Sequence, residues 1–278
     1  MNSNSVVRRS AAVLALSCVS AMWMQPAAAV EPLDTFSVRV GSFANRFNTT
    51  VRVDGELSDG TTIDLGNDLG LDNDNTIGLI GLTWRPFDHH EFGFAYYRDD
   101  VSGEKTLTRD IVFDDVTYEA NARIGAERKF DIYELSYIWW AADHEKWAMG
   151  PRLGVVWYKT TLGIDLQVDA NGNAAGASFD RSVSGDLPAP AIGGGWRYTP
   201  SENWRLSADV GFFKANINDV DANVTYGRFG VEWYPWEHFG FWSDITANKV
   251  SAELKKNSFN GDMDFRQEGI RIGATYRF

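Results

Sequence analysis

The stretch Gly269-Ile270-Arg271-Ile272-Gly273-Ala274-Thr275-Tyr276-Arg277-Phe278 decides how the rest of the chain is read. Ile270, Ile272, Ala274, Tyr276 and Phe278 share one parity; Arg271, Gly273, Thr275 and Arg277 share the other. Period-two alternation of this kind marks a strand with one apolar face and one charged or small face. A strand in water gains little from closing on an exposed aromatic ring. Its meaning therefore depends on whether the same rhythm recurs upstream.

It recurs around four short segments, at residues 84–92, 139–147, 196–204 and 233–239. Each begins and ends on an aromatic residue and has a polar centre of Pro, Asp, Asn, Ser, His or Glu, which is turn chemistry. Eight of the ten tryptophans beyond residue 29 fall in these segments. Tryptophan and tyrosine settle where apolar medium meets water, so rings at turns point to a membrane–water boundary. The flanks alternate. Ile80, Leu82 and Trp84 lead into the first segment, and Phe92, Phe94 and Tyr96 lead out. Leu153, Val155 and Trp157 follow the second, Leu206, Val210 and Phe212 the third, and Phe229 and Val231 precede the fourth. From Trp147 to Trp157 is about ten residues, within the roughly 9–11 that carry a tilted strand across a bilayer.

Four turns join eight strands. The strand bearing Phe36, Val38 and Val40 and the final strand raise the count to ten, with eight and twelve as alternatives. The expected fold is all-β: a transmembrane, antiparallel, up-and-down β-barrel with both ends on the periplasmic side. Longer segments at 53–76, 101–118, 169–184, 215–222 and 255–262 are rich in Gly, Asp and Asn, as extracellular loops are. Residues 106–113 and 116–124 are strand-like, so the second loop is expected to rise as a hairpin.

The first residues carry a different signal. Arg8 and Arg9 precede an apolar run over 11–24, and Ala27-Ala28-Ala29 follow. These are the three parts of a secretory signal peptide. Cleavage is expected after Ala29, leaving residues 30–278 as one barrel domain. Cys18, the only cysteine, lies in the apolar run, so the mature chain is expected to hold no thiol. Without the leader, 24 basic residues face 38 acidic ones, which argues against a nucleic-acid partner. Mean hydropathy is slightly negative, as in membrane barrels, where lipid-facing and lumen-facing residues cancel.

The terminal strand resembles that of bacterial outer-membrane β-barrels, whose last aromatic and alternating apolar residues are read by the barrel-assembly machinery. On that resemblance Ile270, Ile272, Tyr276 and Phe278 form the assembly signal. Residues 30–278 as a whole resemble a small outer-membrane barrel of the OmpA-like or OmpW-like kind, and no motif selects a subfamily. The resemblance implies an outer-membrane location and contact with outer-membrane lipid and lipopolysaccharide.

On the face opposite the apolar one stand Arg39, Arg85, Arg152, Arg197, Arg205, Arg228, Arg271 and Arg277, with Glu134, Asp209, Glu232 and Asp244. Charges inside a narrow barrel must pair or stay hydrated, because an unpaired buried ion costs several kcal/mol. These twelve are expected to plug the lumen with ion pairs. The first loop is acidic, and Asp68, Asp72 and Asp74 are its candidate cation ligands. Asp72-Asn73-Asp74 opens like an EF-hand loop, but Ile77 and Thr83 stand where Gly and Glu are required, so that motif fails. Nothing calls for a cofactor. His89, His90, His144 and His238 all fall in the four turns, on the side away from surface substrates. The chain is therefore expected to be a structural or surface-interaction barrel and not an enzyme. A narrow channel for small or apolar solutes is the alternative, and an omptin-like or lipid A-modifying surface enzyme the third reading.

Overall fold

The computed structural model describes residues 30–55, 57–169, 171–173, 181–217, 220–256 and 259–278. The leader reading, with Cys18, lies outside the described residues. The strands in chain order are β1 (Phe36–Asp54), β2 (Ile63–Asp64), β3 (Asp74–Phe87), β4 (His90–Thr106), β5 (Ile111–Phe113), β6 (Val116–Tyr118) and β7 (Arg123–Trp139). They continue as β8 (Ala142–His144), β9 (Trp147–Val168), β10 (Arg181–Ser201), β11 (Trp204–Ile217), β12 (Val220–Trp233), β13 (Phe239–Lys256) and β14 (Phe259–Arg277). There is no helix among the described residues.

Ten long strands form one closed antiparallel ring in the order β1, β3, β4, β7, β9, β10, β11, β12, β13, β14, with β14 pairing back onto β1. Closure leaves no free edge, which a bilayer requires because it offers no water to unpaired backbone groups. The up-and-down barrel and its ten strands are those expected. The four short turns lie at the end that holds Phe36 and Phe278, where the amide of Phe278 donates to the Phe36 carbonyl at 2.9 Å. The strand-like part of the second loop is the separate β5–β6 hairpin.

Alternation positions every side chain. Ile80, Leu82, Trp84, Phe92, Leu153, Trp157, Ile192, Val210, Phe229, Ile245, Ile270 and Ile272 stand exposed on the outside. Their opposite parity fills the interior. This apolar band ends where Arg46, Arg98, Lys159, Asp186, Lys214 and Lys249 take over the outward positions, all exposed. The strands do not end there. β9 runs 22 residues, about 70 Å at the usual rise, so roughly half of it rises beyond the band. The loops expected from composition are therefore shorter than predicted, and much of them is barrel wall.

Two ladders part above the band. β3 and β4 pair only from Leu79↔Tyr97 downward, and β10 and β11 only from Ile192↔Phe212 downward. In β10 the cause is in the sequence. Pro188 and Pro190, two residues apart, take two N–H donors from one edge of the strand. The β9 ladder persists from Arg181 to Tyr198, and it is the β11 edge that loses its partner.

Candidate functional site

The interior is built in layers, beginning at the turn end. Residues ahead of β1 fold into the barrel mouth, where Leu33 packs with Ile138, Trp140 and Ala148. The amide of Val30 donates to the Glu202 carbonyl at 2.8 Å. Asp34, just before the first strand, receives two hydrogen bonds from Arg205, at 2.6 and 2.8 Å. Arg205 also reaches Glu232 at 3.2 Å, and Arg39 donates to the other oxygen of that carboxylate at 2.5 Å. Tyr234 donates to Glu232 at 2.6 Å and lies under the guanidinium of Arg277 at 4.6 Å. The resulting floor is a mesh of opposite charges sealed by residues 30–34, just ahead of β1. Asp34 and Tyr234 were missed in the sequence because neither lies in a strand whose alternation points it inward.

Above the floor lies a polar cavity of about 100 Å3, roomy enough for a few waters. Arg197 pairs with Asp209 at 2.9 Å and Arg228 with Glu134 at 2.7 Å. Arg271 clasps Asp244 through two hydrogen bonds at 2.6 and 2.8 Å. Arg152 forms no ion pair among the described residues; it bonds the Tyr226 hydroxyl and stacks on that ring at 4.9 Å. Glu91, absent from the expected set, accepts from the Trp140 indole at 3.1 Å. Two of the twelve expected lumen charges depart from the ion-pair plug: Arg152, which has no carboxylate partner among the described residues, and Arg85. Arg85 stands at the rim, where its guanidinium donates to the carbonyls of Asp34 and Asp88, because β3 ends two residues later.

A layer of rings closes the barrel next. Phe47 stacks on Phe130 at 4.9 Å and Phe265 at 5.4 Å, Tyr158 meets Phe265 edge-on at 4.6 Å, and Phe43 meets Tyr97 at 5.7 Å. Trp242 lies beside this layer over the paired Gly41 and Gly273, where any Cβ would sit 2.8 Å from the indole. Over the rings lies a separate ion pair, Arg128 with Asp99 at 2.8 Å, whose side chains are 1% and 0% exposed. Asn75 donates to Asp99 at 2.6 Å, and the Arg128 guanidinium rests 4.9 Å above Phe47. Sequence reasoning missed this pair by ending the alternation too soon. Tyr97, Asp99 and Val101 continue the inward parity of β4, as Arg128, Phe130 and Ile132 do in β7. The top is an apolar cap in which Leu65, Leu69 and Leu71 pack with Ile111, Phe113 and Tyr118 of the hairpin.

The candidate cation ligands do not converge. Asp68 binds Arg109 at 2.6 Å, Asp74 binds Arg46 at 2.8 Å, and Asp72 is exposed. Arg46 of β1 and Arg109 from the loop between β4 and β5 have taken the place a cation would hold. Burial pushes the Asp68 carboxyl upward, but hydrogen bonds from Arg109 and the Asp64 amide prevail and hold it below the usual range. No group of three His, Cys, Asp or Glu able to hold a metal occurs among the described residues. His89, His90, His144 and His238 lie at the turn end, as expected; His90 Nδ1 meets the Tyr137 hydroxyl at 2.7 Å. In the terminal strand Ile270, Ile272 and Phe278 face outward, while Tyr276 is half-buried between His238 and Phe278.

No protein-family model matches the chain, and no curated protein matches its sequence. Solved structures do match. The outer-membrane protease OmpT of Escherichia coli aligns with a TM-score of 0.55 and 12% identity, over 93% of this chain and 99% of that one. The toluene transporter TodX of Pseudomonas putida aligns at 0.33 with 7% identity, over 88% and 90%. Ail, the attachment invasion locus protein of Yersinia pestis, aligns at 0.30 with 10% identity, over 88% and 100%. The fold is that of a small bacterial outer-membrane β-barrel.

Proposed function

We propose that this chain is an outer-membrane barrel with a structural or surface-interaction role and a lumen that does not conduct. The observation that carries the reading is the stacked closure: a charged floor with its seal, a ring layer and an apolar cap lie one above another. Ions crossing it would have to break buried pairs and then pass through packed rings, each step without compensating hydration. Reconstituted in planar bilayers, the protein is expected to show small, noisy or absent conductance. A steady large conductance would replace this reading with the channel.

The proposed placement puts the turn end in the periplasm, the leader of residues 1–29 removed, and the charged wall above the apolar band among lipopolysaccharide headgroups. Asp72→Cys and Glu145→Cys, both exposed and at opposite ends, test it in a mature chain without other thiols. A membrane-impermeant maleimide on whole cells should label the first and spare the second. Deleting Phe278 should reduce the labelled amount several-fold if the terminal strand is read by the assembly machinery. Label at position 145 in intact cells would invert the barrel.

The non-enzymatic reading rests on that orientation. A general base must come within hydrogen-bond reach of its substrate, and the four histidines are a barrel's length from the outer surface. The similarity of fold to a protease makes a direct assay worthwhile. Peptide or lipid A turnover that disappears on a single loop substitution would overturn the reading.

A further inference from the structure

We infer that the extracellular half of the lumen binds a small, uncharged, apolar molecule carrying one hydrogen-bond acceptor oxygen. Above the ring layer lies a second cavity, of about 140 Å3, whose lining is mostly apolar and includes Phe130, Leu162, Val183 and Met263. Two buried polar side chains, Arg128 and Thr49, also line it. Arg128 commits Nη2 to Asp99, but its Nε and Nη1 have no partner, and neither has Thr49 Oγ1. Unpaired donors at an apolar wall are costly, and a fully apolar cavity would not need them.

The chemistry of the walls sets the class of molecule. An apolar cavity of about this size accommodates a benzene-sized body, and Phe130, backed by the stacked Phe47, offers an aromatic wall. The charge of Arg128 is already balanced by Asp99, so a second carboxylate would add an uncompensated buried anion. A carbonyl oxygen accepts from the free N–H groups and adds no charge. Val183 belongs to the part of β10 that has no β11 partner, so the wall beside the cavity is the one already parted.

The test is 19F NMR titration of the detergent-solubilised protein with 4-fluoroacetophenone, 1-ethyl-4-fluorobenzene and 4-fluorobenzoate. Val183→Trp, which fills the cavity from its wall, serves as the reference for partition into the micelle. Thr49→Val keeps the shape and removes one polar partner. The ketone should bind saturably to the native protein and at least tenfold more weakly to Val183→Trp. The hydrocarbon, which leaves the donors unpaired, should bind about tenfold more weakly than the ketone. Equal binding of ketone and hydrocarbon would remove Arg128 and Thr49 from the site. Tighter binding of the benzoate would overturn the uncharged class. Identical titrations of native and Val183→Trp protein would show that the cavity holds solvent only. None of these outcomes depends on conductance, so the closed-lumen reading stands or falls separately.

Discussion

Arg271→Leu is expected to lower the unfolding free energy by about 3–5 kcal/mol, the usual cost of breaking one side of a buried ion pair. Arg271 and Asp244 are 6% and 5% exposed and share two short hydrogen bonds. Removing the guanidinium strands the carboxylate inside the barrel, with only the small polar cavity to hydrate it. Asp244→Leu alone should cost a similar amount from the other side. The double replacement should recover most of the loss, because two apolar side chains in place of a buried pair are often neutral or stabilising. Glu134 does not spoil the comparison: it lies 4.0 Å from Arg271 but keeps its closer partner Arg228. Urea unfolding in lipid vesicles, followed by tryptophan fluorescence, measures all three. A double variant as unstable as the singles would show that these residues matter for shape and not for mutual charge.

Phe47→Ala should be as damaging for a different reason, about 3–5 kcal/mol, as for other buried phenylalanines. Phe47 is fully buried, touches Phe130 and Phe265, and supports the Arg128 guanidinium. Its loss opens a void in the ring layer and exposes the Arg128–Asp99 pair from below. Phe212→Ala is the control: Phe212 is 69% exposed within the outer apolar band, where lipid replaces the missing ring. It should cost well under half as much in vesicles. Equal costs at the two positions would mean that the ring layer is not a packed layer at all.

The strand pattern was legible in the sequence because each residue's side of the wall follows from parity alone. Ile270 and Ile272 face lipid, Arg271 and Arg277 face the lumen, and tryptophans at 139, 204 and 233 mark the turn end by the preference of indole for an interface. Such signals are local and need no knowledge of distant strands. Which charges meet is not local. Arg39 finds Glu232 across 193 residues only because ring closure and strand stagger bring β1 and β12 to the same height. The sealing of the mouth by Asp34 and the capture of Asp68 and Asp74 by Arg109 and Arg46 were likewise decided in three dimensions. Alternation sets the face a side chain occupies, whereas its partner depends on tilt and register, which leave no period in the sequence.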